Sequence, residues 1–296
     1  MGPHELSGKT VFITGAARGI GAAAAERLYA KGANVALVGL EPERLHENAG
    51  RLGERAAAFE VDVTDFQALE GAVAATVERF GAIDVAIANA GIAFEGTLGS
   101  APVEHVERTL AVNLMGVWRT DRAVLAEIVK SRGYLLNISS LSAITHAPMM
   151  GPYTAAKAGV EALTDTLRME SAPSGAMVGC AYFGFLDTDL VKASFSRPSA
   201  EMMTSQMPGF LRNPAPVSKA IDAIERGIER RSARVWAPRW IGPMLALRGV
   251  LQPLIERRTL SQLDHLREAV RVSEEADHSD GVDPVLGVAA RALDAR

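Results

Sequence analysis

TVFITGAARGIGAAAAERLYAKGANVALVG, residues 10–39, passes from an apolar strand through a glycine-rich turn into an alanine-rich helix and on to a second apolar strand. That order and length make one βαβ unit. Gly15, Gly19 and Gly21 stand in the turn, with Arg18 and Ile20 among them. Glycines there open backbone angles closed to other residues and let main-chain amides approach a pyrophosphate, which then lies at the positive end of the following helix. Glycines also make ordinary strand-to-helix turns. The strand before and the helix and strand after supply the context that a dinucleotide site requires.

Outward from this unit, short apolar runs alternate with longer segments of helical period: NVALVG (34–39), AAAFEVD (56–62), DVAIANA (84–90), GYLLNIS (133–139), MVGCAYF (177–183) and ARVWAP (233–238). Strands apolar almost throughout are covered on both faces, so the pattern predicts an α/β fold: a doubly wound parallel sheet of about seven strands flanked by helices. One domain is expected over residues 1–240, then a helical extension over 241–272 and an acidic, flexible tail over 273–296. Two stretches depart from the alternation. Residues 187–218, rich in Ser, Pro and Met, read as a mobile loop with short helices; WIGPMLALRGVLQPLIERR has helical spacing broken by prolines.

With 31 basic against 35 acidic residues and no block of like charge, nucleic acid is not an expected partner. No window reaches the roughly 18 apolar residues of a membrane span, and the first residues lack a secretion signal. The one cysteine, Cys180, lies in an apolar run and reads as a core thiol, consistent with a reducing cytoplasm. No cluster with metal-ligand spacing is visible.

In NISSLSAITHAPMMGPYTAAKAGVEAL (137–163), Tyr153 and Lys157 are four apart in a helix-forming run and share a helical face. An ammonium beside a phenol stabilises the phenolate, and a cationic nicotinamide ring would act the same way, so Tyr153 becomes a usable acid/base. Ser140, at a strand end facing that helix, can polarise a carbonyl or position an alcohol. Taken alone, a Tyr and Lys one turn apart are ordinary surface packing; the glycine turn shifts the balance to catalysis.

The spacing Gly15-x-x-x-Gly19-x-Gly21 resembles the classical short-chain dehydrogenase/reductase family. Asp62 and Val63 in VDVTD, Asn89, Ala90 and Gly91 in ANAG, Asn113 in VNLMG, and Ser140, Tyr153 and Lys157 follow in the family's order. The resemblance covers about residues 8–240. It implies a Rossmann-type fold, a catalytic tetrad of Asn113, Ser140, Tyr153 and Lys157, and a homodimer or homotetramer. It also implies that Lys157 bonds the nicotinamide ribose and that Asn113 holds a water in a proton relay.

The remaining cofactor contacts implied are Leu40 and Glu41 after the second strand, and Gly184 and Thr188 after the sixth, where Phe183-Gly184 replaces the family's usual Pro-Gly. Neither the acidic signal for NAD nor the basic signal for NADP stands at Gly39-Leu40. Arg18 favours NADP(H), Glu41 argues for NAD(H), and the balance is set to NADP(H). His146, Met149, Met150 and Phe185, with Phe94, Met202, Met203, Met207 and Phe210, fall in the family's substrate loops and suit a small hydrophobic alcohol or ketone, such as a steroid, retinoid, terpenoid or lipid. An epimerase or dehydratase using the same Tyr–Lys pair, or an idle nucleotide sensor, is the competing reading. The extension is expected to cap the pocket, pack on a neighbouring subunit or rest on a membrane, in that order.

Overall fold

The computed structural model describes residues 5–195, 198–205 and 209–279. Strands β1 (Thr10–Thr14), β2 (Asn34–Gly39), β3 (Ala56–Glu60), β4 (Val85–Ala88), β5 (Tyr134–Ile138), β6 (Met177–Phe183) and β7 (Arg234–Ala237) form one parallel sheet in the order β3-β2-β1-β4-β5-β6-β7. Between them run α1 (Gly19–Ala30), α2 (Pro42–Leu52), α3 (Phe66–Phe80), α4 (Val103–Leu110), α5 (Gly116–Lys130), α6 (Gly151–Ser171), α7 (Asp189–Phe195), α8 (Pro198–Ser205), α9 (Gly209–Arg212) and α10 (Val217–Arg230). The seven expected strands are all present.

The sheet is two-faced in the way the apolar runs require. Val11, Ile13, Val35 and Leu37 point into one layer with Leu28 of α1 and Ile224 and Ile228 of α10. Phe12, Ala36 and Val38 point into the other, with Leu69 and Val73 of α3 and Val124 and Ile128 of α5. Alternate residues of the same strands thus feed both layers. The chain moves outward from β1 to β3 and then crosses back to place β4 on β1's other side. That reversal opens a crevice at the strands' carboxyl ends, where ligands of doubly wound sheets bind.

Several strands end earlier than their apolar runs. Val61, Asp62, Asn89, Ala90 and Ser139 lie just past strand ends, in the loops that face the crevice. Asp62 accepts from Thr64 N at 2.8 Å, a local turn that competes with continuing the ladder.

Beyond β7 the chain forms α11 (Ile241–Leu260) and α12 (Leu263–Ser279). Helix α11 is continuous through Pro253 rather than broken there. Proline's ring conflicts with the carbonyl four residues back, here Gly249, and both residues are exposed, so the freed carbonyl reaches solvent. Helix α12 runs past residue 272 into the acidic stretch expected to be flexible, correcting that boundary. Arg271 bridges Glu268 and Glu275 on one face, while Ala269 and Ser273 are buried. The rest of the expected tail, 280–296, lies outside the described residues, as do Met207 and the side chains of Met203 and Phe210.

Candidate active site

Thr14 closes β1 and its hydroxyl accepts from Asn89 N at 3.0 Å and Ala90 N at 3.2 Å. Asn89 Nδ2 donates back to the carbonyls of Thr14 (3.0 Å) and Gly15 (3.2 Å). These bonds fix the glycine turn against the loop after β4. Gly15 has φ +66°, and a Cβ there would stand 2.8 Å from Ala90 Cα; one on Gly21 would stand 2.2 Å from the Gly15 carbonyl oxygen. The turn therefore leaves open a backbone cradle at the start of α1, which fits a pyrophosphate.

A cavity of about 640 Å³ opens from this cradle. Its wall includes Gly15, Arg18, Gly19, Ile20, Leu40, Glu41, Asp62, Val63, Asn89, Ala90, Gly91, Ser140, His146, Met149, Met150, Tyr153, Lys157, Gly184, Phe185 and Thr188. Of the described residues singled out from sequence for cofactor, catalysis or substrate, Gly21, Asn113 and Met202 are off this wall. Asn113 is fully buried in a π-turn (Ala111–Met115), where its Nδ2 donates to Ile92 O (2.7 Å) and its Oδ1 accepts from Ile92 N (2.8 Å). Its side chain is thus spent on holding the loop after β4.

At the second strand's end, Glu41 pairs with Arg18 at 3.0 Å and with Arg44 at 3.3 Å. Asp62 accepts from Thr64 N and from Arg108 Nη2 at 3.0 Å. Burial alone would raise its carboxyl, yet the hydrogen bonds from Thr64 and the Arg108 charge outweigh that and hold it below the usual range. Arg108, on α4, is a wall residue that sequence spacing did not reveal.

Ser140 follows β5, accepts from Ser142 N at 3.1 Å and acts on the Tyr153 phenol to lower its pKa. Ser139 Oγ donates to Lys157 O at 2.8 Å, docking α6 on β5. Pro152 occupies the first turn of α6, which sets Tyr153 there and Lys157 one turn on. Lys157 is almost wholly buried, donates to Ile138 O at 2.9 Å, and its Nζ lies 5.7 Å from the Tyr153 ring centroid. Burial pushes the Tyr153 phenol above its ordinary range, opposed by the Ser140 hydrogen bond, and lowers Lys157 to about 8. Without the cationic nicotinamide ring that the sequence reading pairs with Lys157, desolvation outweighs the Ser140 hydrogen bond at the phenol.

The loop from 141 to 150 is held from the extension. Gln252 of α11 accepts from His146 N at 2.9 Å, and Met149, at φ +62°, accepts from Gly96 N at 2.9 Å. Met244, Ile255, Arg258 and Thr259 of α11, Gln262 of the turn after it, and His265 and Leu266 of α12 join the wall. His265 Nε2 lies 2.9 Å from Met202 O of α8. The extension thus forms part of the cleft. Phe183 both lines it and packs in the core.

The short chain dehydrogenase profile matches residues 9–199. The 3-oxoacyl-[acyl-carrier-protein] reductase FabG of Vibrio cholerae is 30% identical over 218 residues, 73% of this chain and 89% of that protein. A 3beta-hydroxysteroid dehydrogenase 1 of Eggerthella lenta is 33% identical over 73% of this chain and 86% of its own. Among solved structures, a short-chain dehydrogenase/reductase described as glucose/ribitol dehydrogenase from Brucella melitensis is 28% identical, with a TM-score of 0.70 over 80% of this chain and 98% of that one.

Proposed function

Because the chain belongs to the short-chain dehydrogenase/reductase family of NAD(P)-dependent oxidoreductases, we propose that it interconverts a hydrophobic secondary alcohol and its ketone with Tyr153 as acid/base. One observation carries this reading: Ser140, Tyr153 and Lys157 meet on the wall of one cleft whose other lining is largely apolar. The cradle of Gly15, Gly19 and Gly21 would hold the pyrophosphate, and Lys157 the nicotinamide ribose. When bound, the nicotinamide gives or takes the hydride. Ser140 orients the substrate oxygen; in reduction, Tyr153 donates its phenolic proton to that oxygen, and in oxidation it takes the proton back. Burial holds the phenol protonated, the form that donates to a ketone oxygen.

Phe94, Met149, Phe183, Phe185 and Met244 give the cleft its apolar character, and a steroid dehydrogenase stands among the relatives. NADP(H) is the cofactor proposed over NAD(H): Arg18, on the cleft wall, and Arg44 share the single Glu41 carboxylate, and the one positive charge these three side chains leave would favour a 2′-phosphate. Assembly is assigned to a homodimer or homotetramer, through faces such as the start of α5, where Trp118 and the preceding Met115 are exposed. Titration with NADPH against NADH, then a screen of hydrophobic ketones and alcohols, tests the proposal. Turnover should fall at least about 10²-fold in Tyr153→Phe; wild-type turnover in that variant would overturn it.

A further inference from the structure

The charged side chains on the cleft wall are matched almost everywhere. Arg18 is held by Glu41, Arg108 by Asp62, Lys157 donates to Ile138 O, and Glu95 accepts from Ser199 Oγ at 2.9 Å. Asp189 lies in the first turn of α7, where the helix end favours an anion. Arg258 differs: among the described residues it is the one guanidinium on the wall with no carboxylate partner. Thr259, Gln262 and His265 line the wall next to it.

Its place in the fold assigns it to the substrate end. The adenosine end of the cleft is at β2, whereas α11 follows β7 at the far edge of the sheet. Gln252 fixes α11 to the substrate loop at His146. Arg258 is six residues further on, about 9 Å along the helix axis. We infer that Arg258, on the cleft wall and exposed to solvent, is an anion anchor at the outer end of the cleft, and that the substrate is an elongated hydrophobic ketone or alcohol bearing a carboxylate at the end remote from the reacting carbon. This rests on the alcohol–ketone reading and narrows its substrate class. An arginine's planar fork suits a carboxylate, and the apolar residues of the same cleft, Phe94, Met149, Phe185 and Met244 among them, suit a saturated chain or fused rings.

A matched pair of probes tests it: 9-oxodecanoate and its methyl ester, which differ only in the charged end. Calorimetry on the NADPH-loaded Tyr153→Phe protein compares their binding without turnover, and kcat and KM in the parent protein compare it with turnover. The acid should be favoured by roughly tenfold or more, mostly in KM. Arg258→Ala should bring the acid-to-ester ratio to within about twofold of one, and Arg258→Lys should restore part of it. A ratio near one in the parent, a ratio preserved in Arg258→Ala, or failure of both probes to bind overturns the inference. Failure of the alcohol–ketone reading shows separately, as undiminished hydride transfer in Tyr153→Phe.

Discussion

Tyr153 and Lys157 sit one helical turn apart, yet burial moves both away from their charged forms. For Lys157 the consequence is a stability term with a definite sign. Its folded value, about 8, lies below the unfolded one of 10.5. Between those values the unfolded chain binds more protons, so this group's contribution makes stability rise with pH from about 8 to 10.5, and its full penalty is present below 8. That penalty is on the order of 3 kcal/mol, against roughly 1 for the hydrogen bond to Ile138 O. Lys157→Met should therefore be inactive but at least as stable as the parent at pH 7, an advantage that fades by pH 10; urea midpoints at the two pH values measure it. The spacing of Ser140, Tyr153 and Lys157 was readable because one helical turn relates two of them directly. What burial does to their protons depends on β5, α6 and the loop between, which no spacing reports. Asn113 shows the same limit: its motif is plain in sequence, but that both ends of its amide are committed to Ile92 follows from packing alone.

At the scale of elements, α5, β5 and α6 are tied by a buried polar group. Asn137 Nδ2 of β5 donates to Asp121 of α5 at 2.8 Å and to Thr164 of α6 at 3.0 Å. Asp121 Oδ1 and Asn137 Oδ1 have no partner, and burial raises Asp121 to about 8 despite the Asn137 bond. Here the folded value lies above the unfolded one, so the native state holds the extra proton and stability from this group falls as pH rises from about 4 to 8. Asp121→Asn keeps the shape and offers a donor to Asn137 Oδ1. It should match the parent near pH 4 and exceed it at pH 8 in urea unfolding. The glycine turn makes a second prediction at this scale. Gly21→Ala places a methyl 2.2 Å from the Gly15 carbonyl, so the turn must shift, and NADPH binding measured by fluorescence should weaken at least tenfold, with a lower Tm. The strands and helices themselves were readable, because apolar runs and helical periods repeat with regular turns. The end of α12 was not, since its helicity comes from the Arg271 bridges and from burying Ser273 against the rest of the protein.

For the molecule as a whole, the decisive arrangement is the return of α11 and α12 onto α6 and the loop 141–150. Glu161 of α6 accepts from Tyr182 OH of β6 at 2.9 Å and from Arg248 Nη1 of α11 at 2.6 Å. Ile241 packs with Leu141, Ile144 and Tyr182. Sequence offered helical spacing for this segment and three places it could rest. Choosing among them needed contacts between residues some hundred positions apart, such as His146 with Gln252. Because the extension builds one side of the cleft and the glycine turn builds the other, substrate and cofactor affinities should separate under mutation. Gln252→Ala frees the loop that carries Met149 and Met150, and should raise substrate KM several-fold while NADPH affinity stays within about twofold, since Gln252 touches no part of the cradle. Steady-state kinetics paired with a cofactor titration decide this. A loss of both affinities together would mean that α11 supports the whole sheet edge rather than the substrate loop.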